Sequence, residues 1–131
     1  MKKFIIALFI LLITCINVNA SNWYRFDYFY LIDLDSIHPY KNYFGQYPKN
    51  TYEFWIKNFE INNKIITIHT IKYAIDCDNR KFGALSYVGE NLKGEVIDSA
   101  EVPNYYPSNS IPPDSRAEAM YNVVCIPKRM N

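Results

Sequence analysis

The segment from residue 111 to residue 125 constrains the fold most, because it is the one stretch whose pattern predicts a helix. Pro112 and Pro113 exclude a helix before them. Ser115 and Glu118 have the spacing of a capping box, in which each side chain satisfies a backbone N–H at the helix start. Apolar residues then recur on one face, at Ala117, Met120, Tyr121 and Val124. A helix of about ten residues is marginal alone in water, so we expect it to pack on another element.

The chain between residue 20 and this helix predicts strands. All twelve tyrosines lie after residue 20, with many β-branched residues and few leucines, a composition that favours strands. Two hairpins stand out, one from residues 51–59 and 64–77, the other from residues 81–88 and 94–102. Asn62-Asn63 is the predicted turn of the first hairpin, because asparagine tolerates positive φ. With an aromatic-rich segment before them, these hairpins make an antiparallel sheet of about five or six strands, and the fold class is α+β.

The second strand of the first hairpin predicts which sheet face the helix covers. By period-two counting one face carries Ile65, Thr67, His69, Ile71, Tyr73, Ile75 and Cys77. Cys77 ends this face and Cys125 lies at the edge of the helix face, so a bond between them would place the helix here. The opposite face, with Ile66, Ile68 and Ala74, is too apolar to be fully exposed. We expect a second copy, as a homodimer, or another partner to cover it.

The two cysteines that follow residue 20, Cys77 and Cys125, predict a disulfide. An even number of cysteines in an exported chain is typical of a disulfide bond. The closed loop would contribute roughly 4 kcal/mol in the chain-entropy description. Two buried free thiols or a metal pair are the alternatives, although cysteines without nearby histidines make a poor zinc site. Since Pro127 follows, we also expect the helix to end near Cys125.

The first twenty residues predict an export signal. Lys2 and Lys3 precede an apolar run, and Val18-Asn19-Ala20 allows cleavage after Ala20. The run is too short for an ordinary membrane span, and a retained N-terminal anchor is the alternative. Cys15 ends a segment shaped like a lipid-attachment box, so membrane association through a lipid anchor is a further option. We expect one domain, from residue 21 to residue 131.

Charge and motifs exclude several functional classes. Without Lys2 and Lys3 the chain has 12 basic and 13 acidic residues, so no basic surface predicts nucleic-acid binding. No nucleophile elbow, zinc-protease helix motif or phosphate-binding loop occurs. Of the two histidines, His69 lies in mid-strand and is expected to be buried and hydrogen-bonded. Asp33 and Asp35 predict a turn rather than a calcium site. We therefore expect no catalytic residue, no metal and no cofactor.

Two loops carry aromatic residues that regular structure does not bury. Residues 38–50 contain two prolines, one glycine and four aromatic side chains, Tyr40, Tyr43, Phe44 and Tyr47. A second loop, residues 103–113, contains Tyr105 and Tyr106. Exposed aromatic residues on loops are typical of protein-binding surfaces. The alternative for residues 38–50 is that their aromatic rings fold back and cover a sheet edge.

The order of several short motifs resembles the surface-adhesin protein E family of exported bacterial proteins. The matching parts are Trp23, the segment Tyr-Leu-Ile-Asp-Leu-Asp-Ser-Ile at 30–37, Trp55, the segment Tyr-Ala-Ile-Asp-Cys-Asp-Asn-Arg at 73–80, and residues 111–125. The resemblance implies an antiparallel sheet with a C-terminal helix held on its concave face by a disulfide. It also implies a surface-exposed or periplasmic protein that binds host extracellular-matrix or plasma proteins. The aromatic loop at 38–50 is longer than the family's usual hairpin there.

Two functional hypotheses follow from these features, and an exported enzyme is the third alternative. The first is an exported, non-enzymatic adhesin-like protein at the cell surface, outer membrane or periplasm. The second is a periplasmic or envelope structural protein that acts as a dimer through its uncovered sheet face. The expected class of ligand rests on the family resemblance and not on individual residues of this chain. One fold hosts many functions, so the fold alone does not identify a ligand.

Overall fold

The computed structural model describes residues 22–102 and 107–129. The predicted signal, with Cys15 and the cleavage position after Ala20, lies outside the described residues, and so do Tyr105 and Tyr106. The elements are β1 (Trp23–Asp27), β2 (Tyr30–Asp33), a 3-10 helix (Leu34–Ser36), β3 (His38–Pro39), β4 (Thr51–Asn62), β5 (Ile65–Asp76), β6 (Lys81–Glu90), β7 (Val96–Glu101), β8 (Asn109–Ser110) and the helix α1 (Arg116–Arg129).

The strands form one antiparallel sheet, and the α+β prediction is confirmed. The main order is β1-β2-β4-β5-β6-β7, while β3 pairs with β4 and β8 pairs with β6. Within the described residues the sheet has eight strands, more than the five or six expected. The two additional strands, β3 and β8, have two residues each, which is too short for a period-two pattern to appear in the sequence.

The long hairpin of β4 and β5 is the centre of the sheet. The two strands pair over their whole length, from Thr51 opposite Asp76 to Asn62 opposite Ile65. Its turn residues are Asn63 and Lys64, with φ of 48° and 65°, one position later than predicted. Two positive φ values give a tight turn the twist that flanking strands need. Asn63 provides one of them at low cost, because asparagine tolerates positive φ. The shift of the turn by one residue does not change which side chains of β5 share a face.

The start of α1 follows the predicted cap. The Ser115 Oγ accepts the backbone N–H of Glu118 at 3.2 Å, as a capping box requires. The Glu118 carboxylate accepts the N–H of Asp114 at 3.4 Å, one residue before the position expected. The Glu118 side chain therefore satisfies a backbone N–H of the loop before the helix and not the N–H of Ser115.

The end of α1 differs from the prediction. The helix continues to Arg129 with Pro127 inside it, so the expected end near Cys125 is wrong. Proline removes one backbone hydrogen bond and crowds the preceding turn, which breaks a helix interior. Near the C-terminus the loss is confined to the last turn.

The core lies between α1 and one face of the sheet. The sheet contributes Ile32, Phe54, Ile56, Ile75 and Cys77, and α1 contributes Ala117, Met120, Tyr121, Val124 and Cys125. Tyr73 extends this packing through ring contacts with Phe54 and Phe82, both with centroids 6.3 Å apart. Tyr73, Ile75 and Cys77 belong to the face that the sequence assigned to the helix, so that assignment is confirmed.

The helix packs against only part of this face. We call the stapled half the part that packs on α1 and contains Phe54, Ile56, Ile75 and Cys77. The open half is the remainder, toward the β4–β5 turn, with Glu60, His69, Tyr87 and the strand β7. No residue of the open half belongs to the buried core cluster of the described chain.

The opposite sheet face carries tryptophans covered by lysine side chains. The Lys57 ammonium lies 4.7 Å from the Trp23 ring centroid, and the Lys72 ammonium lies 5.7 Å from that of Trp55. Lys72 also forms an ion pair with Glu53 at 3.3 Å. Aliphatic lysine stems cover apolar surface while their charges stay in water. A homodimer or partner on this face stays a prediction.

Candidate functional site

The disulfide between Cys77 and Cys125 fixes α1 to the sheet. The two Cα atoms are 5.5 Å apart, and both residues are buried. Cys77 is the first residue after β5, so the bond joins the end of the central hairpin to the helix. The predicted disulfide is confirmed, and the two alternatives, free thiols and a metal pair, are wrong.

Further contacts hold the helix beside the disulfide. The Tyr121 hydroxyl donates a hydrogen bond to the backbone carbonyl of Cys77 at 3.3 Å. The Arg80 guanidinium lies 4.4 Å from the Tyr121 ring centroid and forms an ion pair with Glu118 at 3.0 Å. Arg80 adopts φ of 52°, which turns the chain after Cys77 toward the helix. Covalent, aromatic and ionic contacts therefore meet at the end of β5.

The turn after Cys77 is organised by a buried carboxylate. Asp76 accepts the backbone N–H groups of Asp78 and Asn79, each at 3.1 Å, and the Asn79 side-chain amide at 2.8 Å. Such Asx turns replace backbone hydrogen bonds where a strand ends. The Asn50 amide in turn donates to the Asp78 carboxylate at 3.0 Å, and the Cys77 N–H donates to the Asn50 carbonyl at 2.9 Å. The end of the 38–50 loop is thereby attached to the disulfide-bearing turn.

Three of the four aromatic residues predicted in the 38–50 loop are exposed. The exposed fractions are 78% for Tyr43, 74% for Phe44 and 63% for Tyr47. The rings of Tyr43 and Phe44 meet edge to face, with centroids 5.6 Å apart. We call Tyr43, Phe44 and Tyr47 the aromatic loop surface. A binding role for these residues stays a prediction.

Tyr40 does not belong to this surface, and its prediction as an exposed residue is wrong. Only 4% of it is exposed. Its N–H donates to the Thr51 carbonyl at 2.9 Å, which continues the β3–β4 pairing by one residue and turns the ring onto the sheet. Burial, and then the charge of Glu53, raise the pKa of the Tyr40 hydroxyl. For this one residue the alternative, a ring that folds back onto the sheet, is correct.

Backbone hydrogen bonds give the aromatic loop surface a defined shape. The Asn42 N–H donates to the Gln46 carbonyl at 2.8 Å, and the Asn42 side chain accepts the Gln46 N–H at 2.9 Å. Gly45 occupies the left-handed region with φ of 74°, where a glycine is favoured. Tyr43 and Phe44 lie between these anchors. The rings are thus presented by a closed turn and not by an extended chain.

A second polar cluster, which sequence reasoning did not assemble, lies on the open half. The His69 Nδ1 is 2.7 Å from the Tyr87 hydroxyl, and its Nε2 is 2.7 Å from a Glu60 oxygen. The His69 and Tyr87 rings also stack, with centroids 5.4 Å apart. Period-two counting places His69 on this face, but the pairing of β5 with β6 is needed to bring Tyr87 beside it.

The electrostatics of this cluster favour a structural hydrogen-bond chain. Burial is the main cause that raises the pKa of Tyr87, followed by the charges of Asp98 and Glu60. Since the Glu60 carboxylate only accepts, His69 Nε2–H donates to it, and Nδ1 of the neutral imidazole then accepts from the Tyr87 hydroxyl. The contacts therefore match the expected hydrogen-bonded histidine, although His69 is half-buried.

A small apolar cleft lies between the first turns of α1 and the sheet. Its volume is about 310 Å³, and its walls include Tyr30, Tyr73, Phe82 and Met120. Arg116 also lines the cleft, and its guanidinium lies 4.4 Å from the Tyr30 ring centroid and donates to Asp27 at 3.2 Å. This volume is at the lower limit for small-molecule pockets. No histidine or carboxylate lines the cleft.

Within residues 22–102 and 107–129, no group of three or more histidine, cysteine or acidic side chains could hold a metal ion. The Asp33 carboxylate instead accepts the Asp35 N–H at 3.1 Å and caps the 3-10 helix, which agrees with the turn predicted there. None of the helices in the described part of the chain is long and apolar enough to cross a membrane.

A comparison with known protein families shows to which family the chain belongs. Residues 25–126 match the family described as surface-adhesin protein E. The chain belongs to this family. The match includes the whole central hairpin, both disulfide cysteines and the aromatic loop surface. No curated protein and no solved structure matches the chain significantly.

Membership of the surface-adhesin protein E family confirms the resemblance stated above. The sheet, the C-terminal helix and the Cys77–Cys125 bond are the features that the resemblance implied, and all three are present. The chain is therefore a surface-adhesin-like protein.

Proposed function

We propose that the protein is an exported, non-enzymatic binding protein of the bacterial surface or envelope, and that the aromatic loop surface contacts its protein ligand. The observation that carries the proposal is the exposure of Tyr43 and Phe44 on a closed turn, with the exposed Tyr47 directly after it. Large aromatic side chains contribute much contact area at low cost in side-chain entropy and are enriched at protein interfaces. Family membership supports a protein ligand, and host matrix or plasma proteins are the first class to test.

The attachment of the loop to the stapled half supports the same proposal. Asn50 joins the loop end to Asp78 and to the Cys77 backbone, so the loop is carried by the most constrained part of the fold. A binding loop with a fixed conformation loses less entropy when it meets its ligand.

Solid-phase binding to laminin and to vitronectin tests the proposal. The variant Tyr43→Ser/Phe44→Ser/Tyr47→Ser should lose most of the signal, since truncation of a central aromatic residue costs about 2 kcal/mol or more at a binding hot spot. The matched control is Tyr28→Ser/Phe29→Ser, which removes another exposed edge-to-face aromatic pair, with centroids 4.9 Å apart. Equal and negligible binding of all three proteins to both ligands would contradict the adhesive function.

Export and anchoring are part of the proposal. We expect cleavage after Ala20, and the intact mass of the purified protein measures this directly. A mass increase that Cys15→Ser abolishes would instead show a lipid anchor on Cys15. Retention of residues 1–20 in the purified protein would contradict both.

A further inference from the structure

The strand β7 is the outer strand of the sheet on the open half. It pairs with β6 along one edge, and in the described part of the chain no strand pairs with its other edge. All six residues from Val96 to Glu101 are exposed. The other outer strand, β1, is better protected, because α1 packs on it and Arg116 forms an ion pair with Asp27.

The register of β6 and β7 determines which backbone amides face outward. The Val102 N–H donates to the Leu85 carbonyl at 2.9 Å. Hydrogen-bonded and non-hydrogen-bonded pairs alternate in an antiparallel ladder, so Ala100 and Asp98 also direct their N–H groups toward β6. Ser99 and Glu101 therefore direct theirs away from the sheet. The pairing is irregular where Gly89 and Glu90 lie opposite Asp98 and Val96, so Ile97, at the start of β7, is an extra residue without a partner on β6, and the alternation from Asp98 to Val102 stays intact.

The side chains of β7 do not protect its edge. Natural edge strands are commonly blunted by lysine or proline, and the sequence Val-Ile-Asp-Ser-Ala-Glu contains neither. Val96, Ile97 and Val102 are exposed apolar residues along this strand and just after it. In β7 and the part of β6 that pairs with it, the charged side chains are all carboxylates, namely Glu90, Asp98 and Glu101. The edge is thus open, partly apolar and acidic.

We propose that the free edge of β7 binds an extended, basic segment of a partner protein, which adds to the sheet as a further strand. The outward amides of Ser99 and Glu101 supply the backbone pairing of such strand addition. Asp98 lies on the helix-covered face, and Glu101 and Glu90 lie on the other. Lysine or arginine side chains that alternate along the added strand would meet a carboxylate on either face.

A second copy of the chain fits this edge poorly. Pairing of two β7 strands would place the Asp98 and Glu101 side chains of both copies along one seam without a basic residue in either strand. Like charges across a strand pair are destabilising. This edge is also separate from the aromatic loop surface, which precedes β4 at the other end of the central hairpin. The inference therefore goes beyond the proposed function and does not depend on it.

The first test measures binding of a fluorescent peptide in which lysine alternates with valine and threonine, by fluorescence anisotropy on the purified protein. Ser99→Pro removes an outward amide but no β6–β7 hydrogen bond, since proline is tolerated on the free side of an edge strand. We expect it to weaken binding by roughly tenfold or more, because the ring also blocks the incoming strand. The matched control Ser99→Thr keeps the amide and should bind as the unchanged protein does.

Two further measurements separate strand addition from simple charge attraction. A peptide of the same sequence that is N-methylated on its pairing edge keeps its charge and cannot pair, so it should not bind. The variant Asp98→Asn/Glu101→Gln should weaken binding of the unmethylated peptide several-fold, and less so at high salt. Hydrogen exchange should show new protection at the Ser99 and Glu101 amides when peptide is added.

Equal binding of the two peptides, or unchanged binding to a folded Ser99→Pro protein, would overturn the proposal. If Ser99→Pro does not fold by circular dichroism, the N-methylated peptide on the unchanged protein decides. A concentration-dependent dimer that Ser99→Pro dissociates would show that the occupant is a second copy, which also overturns it. The variant Tyr43→Ser/Phe44→Ser/Tyr47→Ser should bind the peptide normally, so failure of the aromatic loop surface is distinguishable from failure of this edge.

Discussion

The stapled half and the open half are built on the same strands, β4 to β6, and differ in what covers them. In the stapled half, Phe54 and Ile75 are completely buried beneath α1. In the open half, Ile65 at the other end of the same hairpin is 66% exposed. Backbone pairing is continuous from one end to the other. Strand pairing alone therefore does not bury side chains, and the helix decides where the core is.

This difference separates the part of the sheet that stabilises the fold from the part that is exposed for binding. Burial of apolar area contributes about 25 cal/mol for each Å², and the core cluster of the described residues lies in the stapled half. The open half instead exposes backbone amides, carboxylates and aliphatic side chains along β7. We expect substitutions in the stapled half to change the free energy of unfolding, and substitutions in the open half to change binding.

Loss of the disulfide should have the largest effect. We expect Cys125→Ser to lower the free energy of unfolding by about 4 kcal/mol and the melting temperature by at least about ten degrees, as measured by calorimetry. In hydrogen exchange, amides of β4 and β5 near Asp76 should lose more protection than those near Asn62, because only the former lie beside the helix attachment.

The double variant Cys77→Ser/Cys125→Ser is the control for this prediction. It should resemble Cys125→Ser, because the bond is lost in both and the second replacement removes only a thiol. Thiol titration of the denatured, unreduced protein should find neither cysteine free. Two reactive thiols for each chain, or a melting temperature that reduction leaves unchanged, would contradict the stapling role.

Removal of a core side chain should have the next largest effect. Met120 lies on the buried face of α1, and Met120→Ala should cost roughly 3 kcal/mol through lost burial and the cavity left behind. Ile97→Ala, on the open half, should change stability by less than about 0.5 kcal/mol. Urea unfolding measures both. Similar losses for the two variants would mean that β7 is covered in solution, which would contradict the difference between the stapled half and the open half.

The sequence predicted the stapled half better than the open half, for a physical reason. Period-two and helical patterns exist because one side of each element is buried, so Ile75, Cys77 and Met120 mark the core directly. Tyr40 was misassigned because its position depends on one additional backbone pair with Thr51, which leaves no pattern in the sequence. The helix end was misassigned because a proline in the last turn removes only one backbone hydrogen bond and does not stop the helix there.

The polar features of the open half could not be predicted because they depend on register between strands. The contact of His69 with Tyr87 requires the alignment of β5 with β6. The outward direction of the Ser99 amide requires the alignment of β6 with β7. The first alignment is shifted by the irregularity between Lys72 and Tyr73, and the second changes at the irregularity beside Gly89 and Glu90, before Asp98. Residue counting along one strand cannot locate such shifts.

Loss of one hydrogen bond at the helix attachment should have a smaller effect. Tyr121→Phe keeps the ring beneath Arg80 and removes the hydroxyl that donates to the Cys77 carbonyl. We expect a loss of about 1 kcal/mol, the usual net contribution of a hydrogen bond. Tyr24→Phe, at a half-exposed tyrosine, should leave the urea midpoint unchanged. An equal effect of both variants would show that the Tyr121 hydroxyl is unimportant for stapling.

The smallest effect should appear only at alkaline pH, and it distinguishes the two halves by its cause. Burial, followed by the nearby Tyr30, raises the pKa of Tyr73 in the stapled half. Burial also raises the pKa of Tyr87 in the open half, with further contributions from Asp98 and Glu60. Since the folded protein binds these protons more strongly than the unfolded chain, the stabilisation is complete below the unfolded pKa of about 10. It is lost as the pH rises through the folded pKa.

Tyr73→Phe and Tyr87→Phe should therefore each reduce the loss of stability above about pH 10, as measured by urea unfolding at a series of pH values. Added salt screens exposed charges and leaves burial unchanged. The part of the Tyr87 effect that comes from Asp98 and Glu60 should shrink at high salt, while the Tyr73 effect should persist. Asp98→Asn is the matched control, because it should reproduce the salt effect on Tyr87 and leave the Tyr73 effect unchanged. If salt changed both effects equally, charge and not burial would govern the stapled half as well.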